Sequence, residues 1–517
     1  MRHLHSPQEA AQWLHTQVRG VLHTDSRRVT PGDGFIAWPG AASDGRRHVP
    51  AALKQGAAAC LVERSGVEAF SDTFAVAATS SARPDLIASY TDLKAASGPI
   101  AAAYYEQPSQ ALDVLAITGT NGKTSTAWWL AHALGRVGQR CAVVGTLGVG
   151  ELDQLEVTGM TTPDPVLLQA RLRDMVTRGV QACAIEASSI GLAEHRLDGT
   201  QVRVALFTNF TQDHLDYHGT FEAYEAAKAR LFAWPELRAA VINRDDAAGR
   251  RLLASTQGHA RTIAYGLGDL QKDAPQADAL LLASNVRATA TGTAFHLSTS
   301  DWGNAEVEVQ TLGAFNVSNL LGVLGALLAA DVPFEAALAE LAKLESVNGR
   351  MQRLGGRLQN DEPLVVIDYA HTPDALEKTL EALRPMATAR GGELICMFGC
   401  GGDRDATKRP LMGAIAEKIA DGVVVTSDNP RSEDPQSIIE QIAAGMKDAS
   451  KARRIEDRAS AILQAIRSAA REDVIVLAGK GHEATQEIMG KKRAFSDQDH
   501  ARLALAARAT HARGGGE

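Results

Sequence analysis

Ala116-Ile117-Thr118-Gly119-Thr120-Asn121-Gly122-Lys123-Thr124-Ser125 is the stretch on which the reading of this chain turns. An apolar run at 114–117 leads into it, and a helix-like segment at 127–134 leaves it. Strand, glycine turn and helix together make a phosphate-binding context. The glycines let backbone N–H groups converge on phosphate oxygens, and the helix N-terminus adds partial positive charge. The spacing is a compact Gly-x-x-Gly-Lys-Thr, with Ile117 where the common phosphate-loop motif places Gly. Gly119, Thr120, Asn121, Gly122, Lys123, Thr124 and Ser125 are therefore expected to hold a nucleoside triphosphate. Lys123 would reach the terminal phosphates, and the Thr124 hydroxyl would ligate Mg²⁺.

Outward from this loop, from about 110 to 345, strands and helices alternate. Apolar strand candidates are 114–117, 142–144, 182–185, 204–207 and 239–242, with helical spacing over 166–176. That alternation predicts a mostly parallel sheet covered by helices, with ligands at the strand C-terminal ends. Residues 270–312 read as a β-rich excursion, and 320–344 as a helical pair broken near Pro333. A second α/β unit begins at about 346. Its strands are expected at 364–367, 394–398, 423–426 and 474–477, and its helices at 374–383, 411–420, 438–446 and 461–469. It reads as doubly wound and Rossmann-like, without a Gly-x-Gly-x-x-Gly loop. The expected fold class is thus α/β in three domains, 1–107, 108–345 and 346–517, with a central P-loop-type ATPase sheet. Only 513–517, Arg-Gly-Gly-Gly-Glu, reads as a disordered tail.

A length of 517 residues suits about three domains. The net charge of −8 argues against a nucleic-acid partner, which needs a basic face. Five scattered cysteines, 60, 141, 183, 396 and 400, lack a paired metal-site pattern and read as core thiols of a reducing cytoplasm. The N-terminus lacks a basic-then-apolar signal, and the most apolar stretch, 320–330, is too short to span a bilayer. The expectation is a cytoplasmic monomer with no membrane insertion.

Four further groups carry polar chemistry. Glu186 ends an apolar strand, where it either lies solvated or joins Thr124 as an oxygen ligand for Mg²⁺. The run Asp213-His214-Leu215-Asp216-Tyr217-His218 is dense in ligand-type side chains, and equally reads as a polar loop with a helix cap. On the helix after it, Lys228 stands three residues beyond Glu225, a spacing that by itself favours a surface ion pair. The Thr24-Asp25-Ser26-Arg27 turn reads either as a polar-ligand site or as a capped turn. In the last unit, loops at 368–374, 399–405, 428–431 and 479–483 all follow strands. Their arginines and acidic groups suit a ligand carrying both carboxylate and ammonium, because Arg binds carboxylate bidentately and Asp or Glu takes the ammonium.

Taken in order, these motifs resemble the Mur ligases of peptidoglycan synthesis over nearly the whole chain. The resemblance runs through Thr24-Asp-Ser-Arg27, Asp44-Gly-Arg-Arg47, the phosphate loop, Thr161-Thr162, Glu186-Ala-Ser-Ser189 and Asp213 to His218. It continues through Tyr224-Glu-Ala-Ala-Lys228, Asn316-Val-Ser-Asn319, Asn348-Gly-Arg350, Asp368 to Asp374, Asp428-Asn-Pro-Arg431 and Gly479-Lys-Gly-His-Glu483. Within the family it is similar to the branch that adds meso-diaminopimelate to UDP-N-acetylmuramoyl-L-alanyl-D-glutamate.

The resemblance implies a UDP-binding first domain, a central ATPase and a C-terminal domain for the amino acid. ATP would phosphorylate the D-glutamyl γ-carboxylate, and the diaminopimelate amine would displace phosphate. It implies Lys123, Lys228 and His214 as catalytic residues, with Thr124, Glu186, His214 and Lys228 around Mg²⁺. Lys228 would act there as a carbamate (N6-carboxylysine), which sets aside the ion-pair reading on the family match alone. Asn316, Arg350, Asp368 and His371 match the ATP side, and Thr24, Ser26, Thr161, Thr162, Ser188 and Arg196 match contacts to the UDP-sugar-peptide. Arg404, Asp428, Asn429, Pro430, Arg431, Gly479 and Glu483 match the diaminopimelate site. Arg431 would decide the substrate, since diaminopimelate differs from lysine by one carboxylate, and lysine-adding members lack this Asp-Asn-Pro-Arg. The chain departs from the family pattern at Met160, Ile190, Glu194 and Ala41-Ala42-Ser43, where relatives often carry Asn, His, Gln and a more polar triplet.

Overall fold

The strand Asp113–Thr118 occupies the middle of a ten-stranded sheet in the computed structural model. It pairs in parallel with Ala182–Glu186 on one side and Val204–Phe207 on the other. The chain leaves its C-terminal end through the phosphate loop into helix Lys123–Arg136, and goes to Cys141–Gly145 on the 182–186 side. It later crosses to Val204–Phe207 on the opposite side. The loop therefore sits where the winding direction reverses, the point at which open α/β sheets bind ligands.

Described residues are 1–40, 43–80, 86–268, 277–289 and 292–514, the side chains of 77–80 and 509–514 aside. The family departures at Ala41 and Ala42, parts of the β-rich excursion and residues 515–517 of the expected tail lie outside them. The last helix, Asp497–Gly514, carries regular structure into the first two residues of that tail.

All five strands predicted around the loop form, each extended by no more than a residue or so at its ends. Each is buried along its whole length or nearly so, which explains why they read as continuous apolar runs rather than alternating ones. The sheet continues in parallel through Arg261–Leu267 and Ala279–Ala288, and then turns antiparallel at Thr293–Thr299 and Asn304–Val309. Helix Ala314–Ala329 is buried almost all round and packs on the sheet face with Lys123–Arg136. Pro333 starts the shorter helix Phe334–Leu341.

The C-terminal sheet has six strands. Five are parallel, and Gln352–Gly355 is added antiparallel at one edge. Its predicted inner strands are present at Leu364–Asp368, Leu394–Phe398, Gly422–Val425 and Val474–Ala478. The edge strands Gln352–Gly355 and Ala452–Arg454 and the hairpin Thr485–Ile488/Lys491–Ala494 are half-exposed or polar, and no apolar run announces them. The N-terminal residues form a separate five-stranded parallel sheet. All five cysteines are buried and free. Among the described residues no helix is long and apolar enough to cross a membrane.

Candidate active site

The phosphate loop is held from the neighbouring strand end. The N–H of Thr120 donates to Asn209 O at 2.8 Å, and that of Asn121 to Asn209 Oδ1 at 2.9 Å. Thr208 Oγ1 and Asn209 Nδ2 donate back to Asn121 O at 2.6 and 3.1 Å. These contacts explain Gly119, whose φ of 144° is left to glycine and where a Cβ would lie 1.9 Å from Thr208 Oγ1. With the Thr120 and Asn121 N–H groups engaged in shaping the turn, those of Gly122 and of the first helical turn from Lys123 face no acceptor among the described residues and are open to an anion.

Glu186 lies at the strand end beside the loop. Its Oε2 accepts from Thr124 Oγ1 at 2.9 Å and from Thr146 Oγ1 at 3.2 Å, and its Oε1 accepts from Thr146 N at 2.8 Å. Thr146 Oγ1 in turn meets Thr161 Oγ1 at 3.0 Å. Glu186 is buried and bound on both oxygens, so the solvated reading of it is overturned. Sequence reasoning missed Thr146. Its signal was its place one residue past a buried strand, on the ligand-bearing edge.

Lys228 does not pair with Glu225. That glutamate turns outward to Arg251, at 2.6 and 2.7 Å. Lys228 is 2 % exposed, and its Nζ donates to Gly119 O at 2.7 Å and lies 4.4 Å from the centre of the Tyr224 ring. Lys123 Nζ donates to the same Gly119 oxygen, and to Thr120 O, both at 2.9 Å. Burial and then the nearby Lys123 charge hold the Lys228 ammonium well below the ordinary lysine range, against a smaller pull from Asp213. Tyr224, named above only as the start of the family motif that ends at Lys228, lies four residues before it on one helix face. The helical spacing that suggested the Glu225 pair also brings this ring onto Lys228.

His214, in a left-handed conformation at φ 52°, follows Asp213 at the rim of the same pocket. Burial lowers the His214 pKa, with Lys123 and Lys228 adding to the shift and Asp213 opposing it. Burial would raise the Asp213 carboxyl, but His371, His214 and Lys408 together outweigh it and hold it low.

The C-terminal sheet closes the other side of a cavity of about 650 Å³. Arg350, Asp368, Tyr369 and His371 line it opposite Lys123, Thr124, Glu186 and Lys228, and Asn316 contributes from the long helix. Arg350 crosses the gap: its Nη2 donates to Thr124 Oγ1 at 3.2 Å, and its guanidinium lies 4.1 Å over the Tyr369 ring. Its Nη1 is buried without a hydrogen-bond partner among the described residues. Asp368 accepts from Met351 N at 2.8 Å and Ala370 N at 2.9 Å, fixing the loop that carries Arg350 to the end of its strand. Burial pushes the His371 imidazole down to about 4, so it is neutral at physiological pH.

Of the four loops expected for the amino acid, 368–374 lines the cavity, whereas 399–405, 428–431 and 479–483 gather behind Tyr369. Asn429 Nδ2 donates to Glu483 Oε2 at 2.7 Å. Arg431, at φ 53°, is pinned by its N–H to Glu487 O at 3.0 Å, while its Nη1 donates to Gly402 O at 2.6 Å. Gly479 has φ 107°, and a Cβ there would lie 2.5 Å from Asp428 Oδ2, so the two loops fit only with glycine. Arg404 is exposed, and its hydrogen bond among the described residues goes to its own neighbour, Asp403 O. Tyr369 joins the two regions, since it lines the cavity and feels Glu483, Asp428 and Asp213 electrostatically. Behind these loops, Arg458 and Asp497 form a fully buried pair at 2.6 and 2.7 Å. Arg458 also donates to Ser427 O and Ala478 O, the residues just before Asp428 and Gly479.

The third set gathers beside the cavity. Thr162 Oγ1 hydrogen-bonds Ser188 Oγ at 2.9 Å, and Arg196 Nη1 donates to Thr162 O at 2.9 Å. Thr24 lies beside the carboxylate of Asp164, the cap of helix Pro165–Thr177, which brings the N-terminal loop against this segment. Ser26 is buried in a turn capped by Asp25, whose carboxylate also takes Arg27 at 2.7 Å, so capping is the structural role of that tripeptide. Glu194 is ion-paired with Lys94 of the first unit at 2.6 Å.

The donor set beside Thr124 is oxygen-only and mixed: one hydroxyl and one carboxylate, flanked by the Thr146 and Thr161 hydroxyls. Among the described residues no three His, Cys, Asp or Glu side chains gather as a metal site. A hard dication that keeps waters and phosphate oxygens in its shell fits such a corner, whereas zinc does not.

Comparison with known proteins gives three family matches in chain order. Residues 20–105 match the Mur ligase family catalytic domain, 117–327 the Mur ligase middle domain and 349–481 the Mur ligase glutamate ligase domain. The UDP-N-acetylmuramoyl-L-alanyl-D-glutamate–2,6-diaminopimelate ligase of Ralstonia nicotianae is 54 % identical, over 97 % of this chain and 96 % of its own. Its counterpart in an Acidovorax species is 54 % identical over 97 % of both. A solved structure of a ligase with the same name aligns over 94 % of this chain and 95 % of its own, with a TM-score of 0.64 at 36 % identity. The MurF ligase of Thermotoga maritima, solved with ADP, shares the fold at 18 % identity and a TM-score of 0.64, over 96 % of this chain and 99 % of its own.

Proposed function

We propose the following function for a chain that belongs to the Mur ligase family: it adds meso-diaminopimelate to UDP-N-acetylmuramoyl-L-alanyl-D-glutamate in peptidoglycan synthesis, with cleavage of ATP. The observation that carries the reading is the cavity itself, in which Lys123 and Thr124 face Arg350 and His371 with Arg350 bonded across to Thr124.

In this reading residues 108–345 hold ATP, 1–107 hold the uridine nucleotide and 346–517 the amino acid. Thr124 and Glu186 would hold Mg²⁺, which supplies charge neutralisation on the phosphates when bound. Lys123 and Arg350 offset the charge that develops as the γ-phosphoryl group moves to the D-glutamyl γ-carboxylate. The new acyl phosphate is attacked by the neutral amine of diaminopimelate. A C–N bond forms, the C–O bond to phosphate breaks, and the amine loses its proton. Thr161, Thr162, Ser188 and Arg196, with Thr24 and Ser26, position the sugar-peptide. Lys228 takes up CO₂: its neutral Nζ adds to the carbon and loses a proton, leaving a carbamate beside the loop. The protein works as a cytoplasmic monomer.

The decisive assay follows ATP cleavage with the nucleotide-sugar peptide and, in turn, diaminopimelate, lysine or glutamate. Rapid turnover is expected only when acceptor and diaminopimelate are both present. Turnover with lysine alone, or hydrolysis indifferent to any amine, would overturn the reading.

Arg431→Ala isolates the choice of amine. Losing a charge-assisted hydrogen bond to the second carboxylate is expected to raise the KM for diaminopimelate about tenfold to a hundredfold, with the KM for ATP unmoved. Equal changes in both constants would make Arg431 a structural residue of its loop.

A further inference from the structure

Within the 479–483 loop lies a lysine that the chemistry above leaves unused. The Lys480 side chain is 0 % exposed, and its Nζ donates to Thr485 O at 2.8 Å, Glu483 Oε2 at 2.9 Å and Asn429 Oδ1 at 3.2 Å. An ammonium has three N–H groups, and each has its acceptor here. Asn429 Oδ1 also accepts from Glu487 N at 3.0 Å. A reversed amide would set its NH₂ against two donors, so the oxygen is locked inward and the NH₂ is turned onto Glu483 Oε2 at 2.7 Å. Glu483 thereby has one oxygen bound twice, while its Oε1 takes no hydrogen bond among the described residues. Its side chain is 29 % exposed, which leaves that oxygen open to a ligand.

We propose that Lys480 is the positioning residue of the amino-acid site: sealed from the ligand, it fixes the face that Asn429 and Glu483 turn toward a substrate ammonium. The inference rests on the diaminopimelate reading and adds a residue to it that never touches the substrate. The charged and titratable groups facing Glu483 are Lys480 and His482 on its own loop, and Asp428, Arg458 and Tyr369 from the packed strand ends and helix. Burial alone would raise the Glu483 carboxyl. Lys480 is the foremost of the groups that hold it below the usual glutamate range instead. Without Lys480 that carboxyl rises, so a fall in pH protonates it and removes the partner of the ammonium.

The test is Lys480→Met in the full chain, with KM measured for diaminopimelate, ATP and the nucleotide-sugar peptide across pH. The KM for diaminopimelate is expected to rise about tenfold to a hundredfold, and more steeply as pH falls, while the other two constants stay put. An unchanged KM for diaminopimelate, or a parallel shift in all three constants, would overturn the proposal. Should that variant fail to fold, Asn429→Asp keeps Lys480 and sets a carboxylate against Glu483 Oε2, raising the Glu483 carboxyl by another route. The same steepening toward low pH is expected, and a parallel pH profile would overturn the proposal. Wild-type enzyme that ignores diaminopimelate would bring down both readings. Wild-type turnover with no selective effect in either variant would bring down only this one.

Discussion

Lys228→Ala is expected to lower kcat by about 10²–10³ or more, the scale set by removing one preorganised charge at a phosphoryl-transfer centre. Lys228 and Lys123 donate to a single oxygen, Gly119 O, at 2.7 and 2.9 Å. Burial, and then the repulsion between two ammonium groups this close, shift Lys228 toward its neutral form. A neutral amine is the form that reacts with CO₂. Carbamylation then turns the repulsion into attraction, placing an anion next to Lys123. The sign of the pH effect follows: the folded-state pKa is depressed, so the amine stays neutral at pH values where an ordinary lysine is charged. Acidification protonates it and expels CO₂. Short carboxylates such as formate or acetate should restore part of the activity of Lys228→Ala by taking the place of the carbamate. Intact-mass analysis of wild type should show one added CO₂ on this residue. Full activity in bicarbonate-free buffer, together with an active Lys228→Ala, would refute the modification.

What could be read from the sequence was whatever depends on a single strand and its exit. Buried parallel strands are apolar along their length, so Asp113–Thr118 and its neighbours announced themselves, and the loops at their C-terminal ends marked the ligand edge. The helical pair around Pro333 and the inner strands of the last sheet were legible for the same reason. Partners across the tertiary structure were not legible. Glu225 and Lys228 have ion-pair spacing, but the helix is rotated so that Lys228 points into the loop and Glu225 meets Arg251, 26 residues on in sequence. Lys480, between two glycines in a candidate ligand loop, carries no sequence signal of burial, yet it is held inside by three acceptors. Arg458 and Asp497 lie 39 residues apart and meet only once the last helix packs on the sheet.

Arg350→Ala is expected to cost about 10³ in kcat while leaving the KM for ATP nearly unchanged, the pattern of a group that acts on the transition state rather than on bound substrate. The phosphate loop belongs to the central sheet and can hold ATP without Arg350. The arginine comes from the other unit and reaches Thr124 Oγ1 at 3.2 Å, beside the helix N-terminus where the phosphates are expected. Its Nη1 is buried without an acceptor among the described residues, and leaving such a donor unsatisfied costs about 1–3 kcal/mol. A transferring phosphoryl group, whose oxygens gain charge during the reaction, is the acceptor that would recover this cost most strongly at the moment of transfer. The guanidinium is preorganised for that role by stacking on Tyr369 at 4.1 Å, and Tyr369 also lies against the amino-acid loops. Arg350→Lys should not restore the rate, because an ammonium cannot stack flat on the ring and still present a fork toward Thr124. A rise in the KM for ATP with kcat preserved would instead assign Arg350 to ground-state nucleotide binding. Tyr369→Leu separates the two, since removing the stack should lower kcat with Arg350 still present.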